Sequence, residues 1–482
     1  MSEAGSTVVG ASPARAIRFA WPAISIATAR GEMLAVALLC PVLLSAAIWN
    51  GFPIVFYDTG AYMLQGLGHV FLAERSPVYS LFLEPAGARI SLWFVAIIQC
   101  AITAFLITEL ARAIRPTLSV WSLVAIGAVL TVATGLPWYA AQIEPDCFVA
   151  TMAIGIYLLT FCDAALTPLR RTLIVLTTAL SVAVHPSHAG IAIGLVLVIA
   201  LTLLPPVRKL LGATFPRAKL ALSSLSVVLA LATVLACNYG FTRHIFFSRS
   251  GAIFLAARLM EDGLVKPVLD ETCPQSGYAM CPYKDQLPSR ADTWLWMSNV
   301  SPFHKLGGFS GMERESASIV AQSILRYPLS NLGYALGNGI LQFFWFQTGD
   351  GIVPQEWVLN REFKIALPQQ LKAYDHAYQQ EGDIWFLPIN LVHVPVAILS
   401  LAGLYLLLRE ARRARDWRKG LLPTFVLLAL LGNAFVCGVF SGPHGRYQSR
   451  LMWLPTFAIA LVAWPRIEQE IGQRIRRRKA LA

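Results

Sequence analysis

The sequence predicts an all-α integral membrane protein with about ten transmembrane helices, eleven if residues 328–347 also cross, and both ends in the cytoplasm. Composition is the first ground. Of 482 residues, 56% are hydrophobic and only 14% charged, whereas soluble domains carry about 25% charged residues. The second is that apolar runs long enough for a hydrocarbon core of about 30 Å recur along nearly the whole chain. They fall at 32–49, 90–110, 118–136, 147–166, 171–185, 189–205, 219–238, 386–408, 420–440 and 451–465.

The third ground is where the charge sits. The formal charge is +12, a value that could also suit a nucleic-acid binder. Alternate connecting segments, however, collect most of the 39 Lys/Arg and fewer than a third of the 27 Asp/Glu. These segments hold Arg15, Arg18, Arg30, Arg112, Arg115, Arg170, Arg171, Arg208, Lys209, Arg217, Lys219, the run Arg409 to Lys419 and the tail Arg466 to Lys479. The positive-inside rule places them in the cytoplasm, so the basic excess is an orientation signal and nucleic acid is excluded as a partner. The first span lacks a small-residue cleavage pattern and reads as a retained helix.

This parse divides the chain into a cytoplasmic segment at 1–31, a seven-helix module at 32–238 with its first outer loop at 50–89, a long outer segment at 239–385, three C-terminal spans at 386–465, and a basic tail at 466–482. Within the outer segment, residues 251–262 have the pattern of an amphipathic helix lying at the interface. Residues 328–347 carry no charge and are long enough to span, but a crossing there would put the basic run at 409–420 outside. They are read as interfacial or re-entrant, with an eleventh span as the alternative. His185-Pro186-Ser187-His188 separates the fifth and sixth spans. The pair could bind a metal or sugar hydroxyls, but the proline favours a polar hairpin turn.

Six of the eight cysteines lie in or beside apolar spans, where a thiol behaves as a small hydrophobe. Cys273 and Cys281 instead lie in the outer segment, and an oxidising compartment would join them as a disulfide. Their spacing, with no second ligand pair, does not match a zinc site.

Polar residues with chemical potential gather on the outer side. The first outer loop combines Asp58 and Tyr62 with Arg75, Ser76, Pro77 and Tyr79. Asp58-Thr59-Gly60 could be an ordinary turn. A carboxylate flanked by Phe56, Tyr57 and Tyr62 is also a candidate general base. Glu144 and Asp146 stand before the fourth span, where acids cap helices and favour their dipoles, but a charge so near lipid also suits a site. The last outer loop carries His444, Arg446, Tyr447 and Arg450 against the prevailing charge bias, which calls for a phosphate or an acidic loop as partner. Snorkelling accounts better for Arg450 than for Arg446.

Asp58 with Tyr62, Arg75-Ser76-Pro77-Val78-Tyr79, Glu144-Pro145-Asp146 and Arg446-Tyr447 together resemble the GT-C superfamily of membrane glycosyltransferases, of the protein O-mannosyltransferase and aminoarabinose transferase type. The likeness covers mainly residues 32–240 and the final loop. It implies an inner-membrane enzyme that moves a sugar from a polyprenyl-phosphate carrier to a glycan, lipid or protein acceptor. In that reading Asp58, and after it Asp146, is the catalytic base. Tyr62, Arg75, Tyr79, Glu144, Arg446, Tyr447 and Arg450 bind substrate or phosphate. The sequence departs from many members at Thr59, where a second acid is common, and it ends in a basic tail. No Gly-rich nucleotide loop is present, which suits a lipid-phosphate donor, and a divalent metal is left open. A transporter or flippase of a lipid-linked or polar solute, and a non-catalytic membrane scaffold, are the alternatives.

Overall fold

The computed structural model describes residues 24–212 and 214–464 and is all-α: among these residues only two isolated bridges, Ser25 with Ser119 and Ile54 with Gln142, have β geometry. Arg15, Arg18 and the tail from Arg466 to Lys479 lie outside the described residues.

Among the described residues, five helices are long and apolar enough to cross a membrane: Ala29–Asn50, Leu92–Ile114, Ala221–Thr242, Phe386–Ala414 and Lys419–Phe440. A sixth arises if Pro186–Leu201 and Pro205–Leu211, bent by 81° at their junction, count as one span. The other apolar runs form shorter helices. Val120–Ala133 has 14 residues, Cys147–Phe161 has 15 and Pro168–Ala183 has 16, and residues 453–464 are helical. Local chemistry sets these ends. Pro137 stands at the start of the next short helix, Leu136–Ala140, and Thr167 caps Pro168–Ala183 by accepting from the Arg170 N–H.

Cys147–Phe161 is the axis of the bundle. Residues 147–160 are all buried, as expected for a helix apolar on every side. Small residues let its neighbours approach closely: a Cβ at Gly155 would lie 2.0 Å from Thr178 Oγ1 of Pro168–Ala183. At one end of the bundle Glu109, fully buried, binds Arg112 at 2.5 Å and faces Arg170 at 3.6 Å, while Arg170 also binds Glu32. Nearby, Arg115 donates to the Leu461 and Val462 carbonyls, tying the last helix to the second span.

The opposite end carries the loops, and the 239–385 segment divides there into two parts. Helices Gly251–Glu261, Val265–Thr272, Ala291–Trp296 and Glu313–Arg326 share a second, separate core around Ile253, Val268, Trp294, Phe303 and Ile319. The apolar face of Gly251–Glu261 is therefore covered by protein, where the sequence pattern had pointed to the membrane interface. Arg258, which heads its last turn, pairs with Asp262 at 2.5 Å. Cys273 and Cys281 are joined as a disulfide in this part. The second part, around Glu356–Ala366 and Leu371–Asp375, packs into the main core: Phe363 stacks on Tyr374 at 4.3 Å, and both meet Phe52 edge-on.

Within residues 328–347, Pro328–Phe344 forms a 17-residue helix that packs along Lys419–Phe440. At the crossing, a Cβ on Gly438 would meet the Asn338 carbonyl at 2.6 Å. The far side of the helix exposes Leu329, Leu332, Leu336, Ile340 and Phe344. Gly339 and Asn338 face Lys419–Phe440, Asn331 donates to the Ser323 carbonyl of the preceding helix, and Gly333 and Gly337 lie in open space.

Close backbone approach also fixes the first outer loop. A Cβ at Gly66, in Thr59–Leu67, would lie 1.9 Å from the Ser80 carbonyl of Pro77–Leu83. Gly66→Ala should therefore separate the two helices that hold Asp58 and Arg75, at a cost of about 1–3 kcal/mol. Thermal unfolding of the purified protein in detergent checks this, and an unchanged midpoint would mean that the helices part freely.

Candidate functional site

Each predicted site residue sits at a helix end or in a loop at the same end of the bundle. Asp58 precedes Thr59–Leu67 and Asp146 precedes Cys147–Phe161, yet neither side chain makes a capping bond to its own helix. The carboxylates are directed to other partners instead. Arg75 Nη2 donates to Asp58 Oδ1 at 2.5 Å, and Arg450 Nη1 donates to Asp146 Oδ1 at 2.6 Å. The simple turn and capping roles thus leave these two acids unexplained.

The two outer loops that bring them are stitched through the backbone. The Ile143 N–H donates to the Ile54 carbonyl at 2.8 Å. Thr59 Oγ1 accepts from the Phe56 N–H and donates to the Ile143 carbonyl, both at 2.9 Å. Thr59, the departure from the acidic pair, is therefore a structural clasp between the loop of Asp58 and the loop of Asp146. Tyr62 and Tyr79 lie beneath it, fully buried with rings 4.8 Å apart. The Tyr79 hydroxyl donates to Gln99 Oε1 at 2.7 Å, and Gln99 Nε2 donates to the Gln142 carbonyl. Both tyrosines support the floor of the site through packing.

The last loop adds the remaining cations. Arg450, with no exposed side-chain surface, also donates to Asn433 Oδ1 at 3.1 Å. Snorkelling to water is excluded for it. Arg446 is held differently. Its guanidinium lies 3.8 Å from Asp146 Oδ2 and sits over the rings of Phe56 at 4.0 Å and Tyr447 at 4.8 Å. Planar stacking places this cation in the site without a close carboxylate bond.

Glu144 is buried, and its Oε1 has no hydrogen-bond partner among the described residues. Burial, reinforced by the nearby charges of Asp58 and Asp146, holds its carboxyl well above the usual carboxylate range despite Arg446 and Arg75. Asp146 goes the other way: burial alone would raise it, but Arg450, Arg446 and His185 hold it below its ordinary value. One loop, Glu144-Pro145-Asp146, therefore presents two acids with opposed proton affinities.

Several participants were missed in the sequence. Asp350 accepts from the Arg446 backbone N–H at 3.2 Å and lies 3.6 Å from His444. It stands between two glycines, and at Gly351, with φ +76°, a Cβ would lie 1.9 Å from the Phe56 ring. That Gly-Asp-Gly turn after an uncharged helix is a legible signal in hindsight. Trp296 and Asp292 reach the site from the second core: Arg75 lies over the Trp296 ring at 5.2 Å, and Asp292 is 3.8 Å from His444. No local pattern could have announced them. His185 and His188 do form a turn, but it faces inward. His188 is fully buried and hydrogen-bonded through Nδ1 to the Ser181 carbonyl, and His185 accepts from the Ser187 N–H.

Among the described residues, no three His, Cys, Asp or Glu side chains are grouped to hold a metal ion. Comparison with family models, with curated proteins and with solved structures gave no match.

Two outcomes follow. Arg450→Met should leave Asp146 a buried anion with only the distant Arg446, a loss of about 3–5 kcal/mol. Adding Asp146→Leu should restore most of that stability, which paired unfolding measurements on the single and double variants will show. For Glu144 the folded form favours the proton, so its contribution to stability is complete below the ordinary value of 4.5 and is lost as pH rises through the elevated one. Glu144→Gln should accordingly flatten the fall in melting temperature on the alkaline side of 4.5; equal slopes in both proteins would show that Glu144 is ionised throughout.

Proposed function

We propose that the protein is a multi-pass glycosyltransferase of the inner membrane that moves a sugar from a polyprenyl-phosphate carrier to an acceptor on the outer face. The observation that carries this reading is the state of Arg446. It is a buried cation, stacked between Phe56 and Tyr447 and 3.8 Å from the nearest carboxylate, so a phosphate can approach without first breaking a tight ion pair. Arg75 and Arg450, by contrast, are each matched closely to one acid.

The ten crossings belong to this reading. The helices of 14 to 16 residues are too short to qualify alone: Cys147–Phe161 is enclosed by protein, while Val120–Ala133 and Pro168–Ala183 bury one side and expose Val129, Val132, Leu169 and Leu176 on the other. With both ends in the cytoplasm, the loops that carry Asp58, Asp146 and Arg446 face outward.

In the reaction, the acceptor oxygen bonds to the anomeric carbon while its proton passes to Asp58. The bond from that carbon to the phosphate oxygen breaks, and the electron pair leaves on polyprenyl phosphate. Arg446 faces the charge that develops there. Arg450 holds Asp146, while the rings of Phe56 and Tyr447 orient Arg446.

The test is sugar transfer in vesicles from a panel of radiolabelled polyprenyl-phosphate sugars. Asp58→Asn should lower the rate about 10²–10⁴-fold, and Arg446→Ala about 10²–10³-fold. Retained transfer in Asp58→Asn would move the base to Asp146. Solute or lipid-linked sugar flux without transfer would favour the transporter.

A further inference from the structure

A second feature shares Arg75 with this site. A cleft opens between the helices Pro77–Leu83, Pro168–Ala183 and Ala221–Thr242 and the loop that follows the last of these. Its polar lining includes Glu74, Arg75, Ser76, His185, Asn238 and Ser248. Phe71 and Phe246 form an aromatic wall, with rings 6.0 Å apart, and Arg249 covers the Phe246 ring at 4.5 Å. The loop is not slack: Asn238, almost wholly buried, donates to the Phe246 carbonyl at 2.8 Å and to the Phe247 carbonyl at 3.2 Å.

Arg75 supplies the second, independent observation. Its side chain is 10% exposed, and two of its three nitrogens are committed, Nη2 to Asp58 and Nη1 to the Glu74 carbonyl at 3.1 Å. Nε is buried and has no partner among the described residues. A buried donor without an acceptor is costly, and its position in the wall of a cleft marks where a ligand oxygen belongs.

Charge narrows the class of that ligand. The positive charge of Arg75 is already matched by Asp58, and Glu74 adds a carboxylate to the same wall. Beside Arg75 Nε a phosphate or carboxylate would meet the carboxylates of Asp58 and Glu74, while the Arg249 cation lies on the Phe246 ring. Neutral hydroxyl groups suit it: they can accept from Arg75 Nε, donate to Glu74 and rest against aromatic rings. We infer that this cleft is a binding site for an uncharged, polyhydroxylated group, the sugar end of a glycan acceptor, with Arg75 as the residue shared between it and Asp58. This rests on the glycosyltransferase reading for the word acceptor, but the site itself does not.

The experiment reads binding rather than turnover. Saturation-transfer NMR on the detergent-solubilised full chain is run with a panel of neutral methyl glycosides, and separately with inorganic phosphate as the anionic probe. Ser248→Phe plugs the cleft, and Glu74→Gln removes its carboxylate with little change in shape. At least one glycoside should bind the native protein. Its affinity should fall at least tenfold in both variants, at unchanged melting temperature, and it should persist in Arg446→Ala. Phosphate should show the reverse pattern. The inference is overturned if no glycoside binds, if binding survives Ser248→Phe, or if phosphate competes for the same site. Absence of sugar transfer in the vesicle assay, with glycoside binding intact, would instead remove the transferase reading and leave a carbohydrate-binding site.

Discussion

The buried pair of Arg450 and Asp146 joins the two distant halves of the chain, and the geometry of the site depends on it. Asp146 heads the helix at the centre of the bundle, while Arg450 follows the last outer loop, and neither side chain reaches water to any extent. Such a pair contributes little net stability compared with two apolar residues, because both charges must be desolvated. Its consequence is positional. Once Arg450 is anchored, Tyr447 and Arg446 are carried to fixed places one turn away, and the Arg446 guanidinium is delivered between two aromatic rings. Asn433 completes the anchor by accepting from Arg450 and donating to the Tyr447 carbonyl at 2.7 Å.

Amide side chains do the equivalent work for the long outer segment. Gln379 Nε2 donates to the Val55 and Val353 carbonyls, its Oε1 accepts from the Val55 N–H, and its own N–H donates to Asn50 Oδ1. Gln370 binds the Ala88 carbonyl and the Leu92 N–H in the same way. Neutral amides both donate and accept, so they satisfy irregular backbone in a dry environment without adding charge. The segment near residues 350–380 is thereby made part of the main body. The helices around the second core form a separate cluster that touches the site through Trp296 and Asp292.

The membrane-protein character of the chain was legible from composition and long apolar runs, because desolvation acts on every residue of a span and leaves a long signal. The helix limits were less legible. Val120–Ala133 ends at Thr134-Gly135, and Pro186–Leu201 bends into Pro205–Leu211, where the hydropathy profile alone ran on. The covered face of Gly251–Glu261 illustrates a related ambiguity: an amphipathic stripe specifies that something apolar must lie against it, but protein and lipid meet that requirement equally well.

For the site, sequence by itself determined which acids and arginines stood near the ends of apolar helices, since charge in such places is costly and therefore conspicuous. It singled out Asp58, Tyr62, Arg75, Tyr79, Glu144, Asp146, Arg446, Tyr447 and Arg450, and the fold gathers all of them at one end of the bundle. Only the tertiary structure decided the pairing: Asp58 with Arg75, Asp146 with Arg450, and Arg446 left to stack on rings. It also brought in Asp350, Asn433 and Trp296, residues separated from their partners by long stretches of chain. Ion-pair choice follows distances of a few ångströms, and those distances are set by helix crossings that no local pattern of residues encodes.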